Sequence, residues 1–354
     1  MHSDALAEAT RQLSICNACR YCEGFCASFQ AMTRYRAFDA ETVAHMANLC
    51  HNCQACYHSC QYTAPHEFDL NLPQALANAR VESWEEHMPF ALIARKVQSS
   101  GMILAWITLF AAFLFGVVGN IPWISDASFY ALISHNALVA VFLPLFVGPL
   151  VILSLGLMKY WRAVGGQRIT LNHLSAALVA AGSMKNLGGG LGQGCNYEHE
   201  DRYSNARKWA HHATMYGFLL CFAATSVATV MHYAFDYPAP YPLFSPPKIL
   251  GVLGGILLTL GTSKLLYLKA KSDPALGVSD RRAGEYGFVL ILWFVSTSGL
   301  LLYWLGGTMF AGAMLNLHLA GIAAFFVTLP YTKMAHGFFR LAALIREAQF
   351  SRVA

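Results

Sequence analysis

Five stretches of this chain carry no Asp, Glu, Lys or Arg: Val97 to Ser125, Ala127 to Met158, Trp209 to Phe235, Ile249 to Ser263 and Tyr286 to Thr332. A bilayer core is crossed by a helix of ~20 apolar residues, and runs of this kind are built for that solvent. The fourth run is shorter, but Lys248 and Lys264 flank it and can snorkel to the two interfaces. The fifth is longer than one helix can use, and Gly306-Gly307 near its middle marks a turn. The pattern therefore predicts six transmembrane helices. Charged residues make up 12% of the chain, against about a quarter in soluble domains. The net charge of +5 is not gathered into a basic patch, which excludes a nucleic-acid partner.

The loops predict orientation. Those assigned outside lie near 120–128, 236–247 and 306–313 and hold Asp126 and Asp236, with Lys248 at an edge. Those assigned inside hold Lys159, Arg162, Arg168, Lys185, Arg202, Arg207, Lys208, Lys269, Lys271, Arg281 and Arg282, and the tail adds Lys333, Arg340, Arg346 and Arg352. The positive-inside rule then puts both termini in the cytoplasm, with the chain in the inner membrane. Within the inside loop 159–208, Leu171 to Met184 is apolar but too short to span, so it reads as an interfacial or packed helix. The glycine-rich Gly188 to Gly194 follows without a preceding strand, which favours a docking or structural loop over a phosphate cradle.

Residues 1–96 are polar and form a separate domain, with a helix expected after an N-cap at Asp39. Eight of the ten cysteines lie here. Cys16, Cys19, Cys22 and Cys26 form C-x2-C-x2-C-x3-C, and Cys50, Cys53, Cys56 and Cys60 repeat it. No apolar leader precedes them, so a reducing cytosol and metal ligation are expected rather than disulfides. Zinc sites use two separated pairs, whereas three closely spaced thiolates wrap one corner of a cubane and the fourth reaches the other cluster. The predicted ligand sets for two [4Fe–4S] clusters are thus Cys16, Cys19, Cys22 and Cys60, and Cys50, Cys53, Cys56 and Cys26. Ala27 and Gln61 stand where this pattern often has proline. Cys195 and Cys221 read as packing residues.

Histidines at the ends of predicted spans are candidates for haem b. The third helix holds His211, His212 and His232, and the sixth is expected to hold His318 and His336. On one continuous helix the last two share a face, ~27 Å apart along the axis. The wheel places His211 within about 60° of His232 and His212 about 160° away, which favours His211. Topology pairs His211 or His212 with His336 at the inner level and His232 with His318 at the outer, for one or two haems. His135 is a spare outer candidate. His45, His51, His58, His66, His173 and His199 read as loop or cluster-flanking residues.

The doubled cysteine motif, HHATMYGFLLCFAATSVATVMHY at 211–233 and HLAGIAAFFVTLPYTKMAHGF at 318–338 together resemble the citrate/tricarballylate utilisation protein B family (TcuB, CitB), over essentially the whole chain. The last helix is also similar to the haem-binding helix of nitrate reductase gamma subunits. The resemblance implies a mainly α protein, with a ferredoxin-like domain at 1–96 and a haem-binding six-helix transmembrane domain at 97–354. It implies a partner, an FAD-dependent tricarballylate dehydrogenase (TcuA), whose flavin is reoxidised with electrons passing to membrane quinone. The membrane part of CobZ is related. Rival readings are a redox-sensing membrane protein, for which the tail after His336 is too short to be an output domain, and a heterodisulfide-reductase-like subunit, which the full eight-cysteine set disfavours.

Overall fold

The computed structural model describes residues 3–125, 129–189, 192–196 and 203–350. Asp126, Gly190, Leu191, His199, Arg202 and Arg352 lie outside the described residues. The described chain is mainly helical. The first six helices among the described residues are α1 (Asp4–Cys19), α2 (Ala27–Met32), α3 (Ala40–Leu49), α4 (Ala55–His58), α5 (Leu72–His87) and α6 (Ala91–Ser99). There follow α7 (Met102–Val117), α8 (Phe129–Leu132), α9 (His135–Ala163), α10 (Leu171–Gly182), α11 (Ala206–Phe235), α12 (Pro246–Lys271), α13 (Arg282–Trp304), α14 (Ala311–Thr328) and α15 (Ala335–Phe350).

Local chemistry sets many of the boundaries. The Asp39 carboxylate accepts from the Thr42 amide at 2.9 Å and starts α3, as expected from the sequence. Ser134 caps α9 in the same way, and Pro246 and Pro247 open α12 where missing amides cost nothing. The α13–α14 turn contains Gly307 at φ +80, a left-handed position that suits glycine.

Five helices among the described residues, including α9, α11, α12 and α14, are long and apolar enough to cross a membrane. A sixth candidate is the pair α6–α7, which bends by 99° at Ser100-Gly101. The first apolar run therefore starts its straight course at Met102, not Val97. At 16 residues α7 is ~24 Å long, shorter than an average span. Its outward side chains Trp106, Leu109, Phe110 and Phe113 are exposed, as are Leu143, Val147 and Val151 of α9. Such apolar exteriors are compatible with a lipid-facing surface. Helices α11 and α12 pack backbone to backbone: a Cβ on Gly217 would stand 2.5 Å from the Leu258 nitrogen, and one on Gly261 2.5 Å from that of Thr214.

Two expectations change. His318 and His336 do not share one helix. α14 ends at Thr328, a 3-10 turn holds Leu329–Tyr331, and α15 starts at Ala335. Pro330 is the physical reason, because it has no amide to continue the ladder and its ring clashes with the preceding turn. The five-turn face shared by the two histidines therefore does not exist. The second change concerns the split at 96/97. α6 runs through it, and Ala343, Leu344 and Ile345 of α15 join Leu13, Met32, Met46, Leu49 and Leu76 in one core with Ala177 of α10. The C-terminal helix is thus part of the cysteine domain, tied there by a two-pronged Arg34–Glu347 ion pair.

Candidate redox site

The two cysteine runs are held by helix ends. Cys16 and Cys19 lie on the last turn of α1, which Arg20 closes in the left-handed region at φ 56. Cys26 is the N-cap residue of α2, and Cys50 the C-cap of α3. Asn52 (φ 51) and Gln54 (φ 66) then turn the chain so that Cys53 and Cys56 lie inside the curve. Asparagine tolerates that backbone better than most residues.

Eight thiols sort into two chambers. The first, about 250 Å³, is lined by Cys16, Cys19, Cys22 and Cys60, with Cys56 on its wall. The second and tighter is lined by Cys26, Cys50, Cys53 and Cys56. The fourth cysteine of each run thus faces the other run's chamber. Electrostatics couple the thiols within each set and also across the two, since Cys22 feels Cys53 and Cys56 feels Cys22. Burial first, then the Cys60, Cys22 and Cys19 charges, push the Cys16 thiol up to about 12. Burial, then Cys53 and Cys50, does the same to Cys26. Thiolates gathered like this need a cationic centre to stay ionised. Among the described residues no three His, Cys, Asp or Glu side chains converge on a single-ion site. The sulfurs surround a space, which fits a cubane and not a lone zinc with its ~2.3 Å bonds. Backbone amides of Asn52 and Tyr62 already donate to Cys50 Sγ (3.4 Å) and Cys60 Sγ (3.3 Å).

The first chamber opens to solvent at the exposed Cys19 and Tyr21. The second is roofed by the chain after α10. Asn186 lines it and accepts from the Ala27 amide at 3.1 Å, and the Asn196 amide donates to the Cys53 carbonyl at 3.0 Å. Cys195 lies in this roof with its thiol on the Leu187 carbonyl at 3.3 Å, and Cys221 lies against α12 at Gly254. Sequence reasoning missed this roof. It also missed Arg80, Arg207 and Arg340, whose guanidiniums reach the backbone of residues 47–52. One signal was present: Arg207 precedes His211 by four residues and Arg340 follows His336 by four, one helical turn each.

The candidate histidines divide into two pairs and two single residues. The rings of His211 and His336 lie 6.0 Å apart between centroids, with planes at 80°. Metal–nitrogen distances of about 2 Å put two trans imidazole centroids about 6 Å apart, so this pair fits one iron between them. His336 Nδ1–H donates to the Lys333 carbonyl, so Nε2 is the nitrogen that could serve as a ligand. His211 Nδ1 is buried without a hydrogen-bond partner. His212 turns the other way, and its Nε2–H donates to the Gly182 carbonyl at 3.1 Å. At the far end His232 stacks on His135 at 4.1 Å, too close for an iron between. His318 Nδ1 lies 3.2 Å from Ser298 Oγ, and among the described residues the ring contacts of His232 are with His135 and Tyr233. Of the others, His45 faces Glu347 at 3.5 Å, and His173 completes the capping box of α10.

Comparison with known proteins gives a consistent result. A family model described as citrate utilization protein B matches residues 92–354, and one described as the citrate utilization protein B Fer4-like domain matches residues 9–86. The citrate utilization protein B of Escherichia coli is 40% identical over 350 residues, which cover 97% of this chain and 92% of that relative. No solved structure matches the chain.

Proposed function

Because this chain belongs to the citrate utilization protein B family, we propose that it is a membrane electron-transfer subunit that reoxidises a separate FAD-dependent dehydrogenase of the tricarballylate type and passes the electrons to quinone. The observation that carries the reading is the sorting of eight thiols into two four-thiol chambers with the fourth cysteine of each run exchanged. Bound [4Fe–4S] cubanes and haem b supply one-electron transfer, which divides two-electron flavin chemistry into single steps.

The chain's own residues do the placing. Cys16, Cys19, Cys22 and Cys60 would hold the solvent-side cubane, and Cys26, Cys50, Cys53 and Cys56 the deeper one. His211 and His336 would hold one haem b. Exposed Cys19 and Tyr21 make the first chamber the contact point for a flavoprotein. Asn186 and the roof around Cys195 keep water from the second. Substrate oxidation is assigned to the partner flavoprotein, so activity belongs to the complex. His232, His318 and His135 stay outside the haem assignment.

Topology supports six spans. The cysteine domain and α15 share one core, so they lie on one side of the bilayer. An even number of crossings must separate them, which requires the short α7 to cross with α9, α11, α12, α13 and α14. The basic loops then put both termini in the cytoplasm.

The test uses the full chain purified in detergent. Iron, acid-labile sulfide and haem are quantified, then reduced flavoprotein and a soluble quinone are added while haem and cluster spectra are followed. Reduction by the flavoprotein and reoxidation by quinone are expected. Stoichiometric zinc without acid-labile sulfide ends the reading.

A further inference from the structure

Three guanidiniums converge on one short piece of backbone. Arg80 on α5 donates to the carbonyls of Ala47 at 3.3 Å and Cys50 at 2.8 Å. Arg340 on α15 donates to Asn48 at 3.3 Å and to the same Cys50 carbonyl at 2.8 Å. Arg207 on α11 donates to Asn52 at 2.5 Å and His51 at 3.2 Å. Arg80 is 8% exposed. Among the described residues, neither Arg80 nor Arg340 is ion-paired with a carboxylate; Arg80 also lies over the Trp84 ring at 5.8 Å, and a sequestered cation without a paired counter-charge is expensive. The favourable charge that both meet is the Cys50 thiolate. Within the solvent-side run 16–26 the basic residue is Arg20, which is exposed and reaches the Asn17 carbonyl at 3.1 Å. Water and salt screen a charge placed there.

Two of the three arginines also tie this loop to the histidine pair. Arg207 lies one turn before His211 on α11, and Arg340 one turn after His336 on α15. The deeper ligand loop is therefore clamped by the two helices that bring His211 and His336 together.

We infer that Arg80, Arg207 and Arg340 are positioning residues that set the direction of electron flow, by holding positive charge on the Cys50–Cys53 ligand loop so that the deeper centre is the easier of the two to reduce. This rests on the reading that the chambers hold cubanes. An added electron brings one negative charge, and burial alone penalises that charge. Fixed cations in a water-poor site offset the penalty, and net charge and hydrogen bonding near the sulfurs are established controls of cluster potential. The relay then runs downhill from the exposed chamber to the membrane side.

The test is a redox titration of the full detergent-solubilised chain followed by electron paramagnetic resonance. Cys53→Ala, which lacks the deeper centre, assigns the two signals. In the native chain the deeper centre should have the higher midpoint. Arg340→Gln and Arg80→Gln should each move that midpoint negative by at least tenfold in the reduction equilibrium, 59 mV for one electron, with the solvent-side midpoint unmoved. Arg340→Lys keeps the charge and should restore most of the shift. A lower native midpoint in the deeper centre, unshifted midpoints in both Gln variants, or equal shifts in both centres overturn the inference while the cubane reading stands. Loss of the deeper centre in Arg340→Gln and Arg340→Lys alike also overturns it, since that marks a purely structural role. A native chain without acid-labile sulfide removes the cubane reading and the inference together.

Discussion

Cys26→Ala distinguishes crossed from uncrossed ligation, and the structure supplies the magnitude. Four thiols are assigned to each chamber, with Cys56 on the wall between them, so each cubane accounts for about four irons and the chain for about eight. Cys26 is only four residues from Cys22 in sequence, yet it lines the chamber of Cys50, Cys53 and Cys56. Removing it should cost the deeper centre and leave about four irons with their sulfide. The double variants decide the matter. Cys26→Ala combined with Cys53→Ala strikes one chamber twice, so it should still retain about four irons. Cys26→Ala combined with Cys19→Ala strikes both chambers and should retain almost none. Iron, acid-labile sulfide and the resonance spectrum of the dithionite-reduced chain are the assay. The folded fraction is checked by circular dichroism. The reverse pattern, with iron lost in the Cys26/Cys53 pair and half kept in the Cys26/Cys19 pair, refutes crossed ligation and with it the chamber assignment.

Three further outcomes are expected. His211→Ala and His336→Ala should each abolish haem measured as the pyridine haemochrome. His212→Ala should retain it, because His212 Nε2 is engaged with Gly182, and haem loss only in His212→Ala would reverse the ligand assignment. Gly261→Val should lower thermal stability in detergent by about 1–3 kcal/mol, since its Cβ would meet Thr214 nitrogen at 2.5 Å and Oγ1 at 2.6 Å; an unchanged melting temperature would show that α11 and α12 can separate freely. Burial works to raise the Glu347 carboxyl, but hydrogen bonds with His45 and Arg34 outweigh it and hold the carboxyl below its usual range. A depressed carboxyl stabilises above its unfolded value of about 4.3, and that contribution is lost as pH falls through the lower folded value. Protease cleavage within α15 should accordingly rise below about pH 4 in the native chain and already be raised at neutral pH in Glu347→Ala; equal protection of both chains at neutral pH would remove Glu347 from the docking of α15.

The sequence alone determined those features that depend on local spacing and on the choice of solvent. Charge-free runs mark the apolar helices because a lipid core tolerates few unpaired charges, and that holds whatever the tertiary contacts are. Two repeats of C-x2-C-x2-C-x3-C define thiol groups because three sulfurs two residues apart can wrap a common centre in a short loop. Asp39 announced α3 because a cap acts on amides two and three residues away. Which remote groups meet was settled by the packing of distant helices. Periodicity carried His318 and His336 along one ideal helix, but Pro330 ends that helix and returns α15 to the cysteine domain. His336 therefore reaches His211 through a fold-back and not along a shared face. Arg80, Arg207 and Arg340 belong to helices far apart in the chain, and nothing in their local sequence shows that all three end on residues 47–52. Local propensity acts over one or two turns, whereas these contacts form when distant helices pack together, and no pattern of period 3.6 encodes that packing.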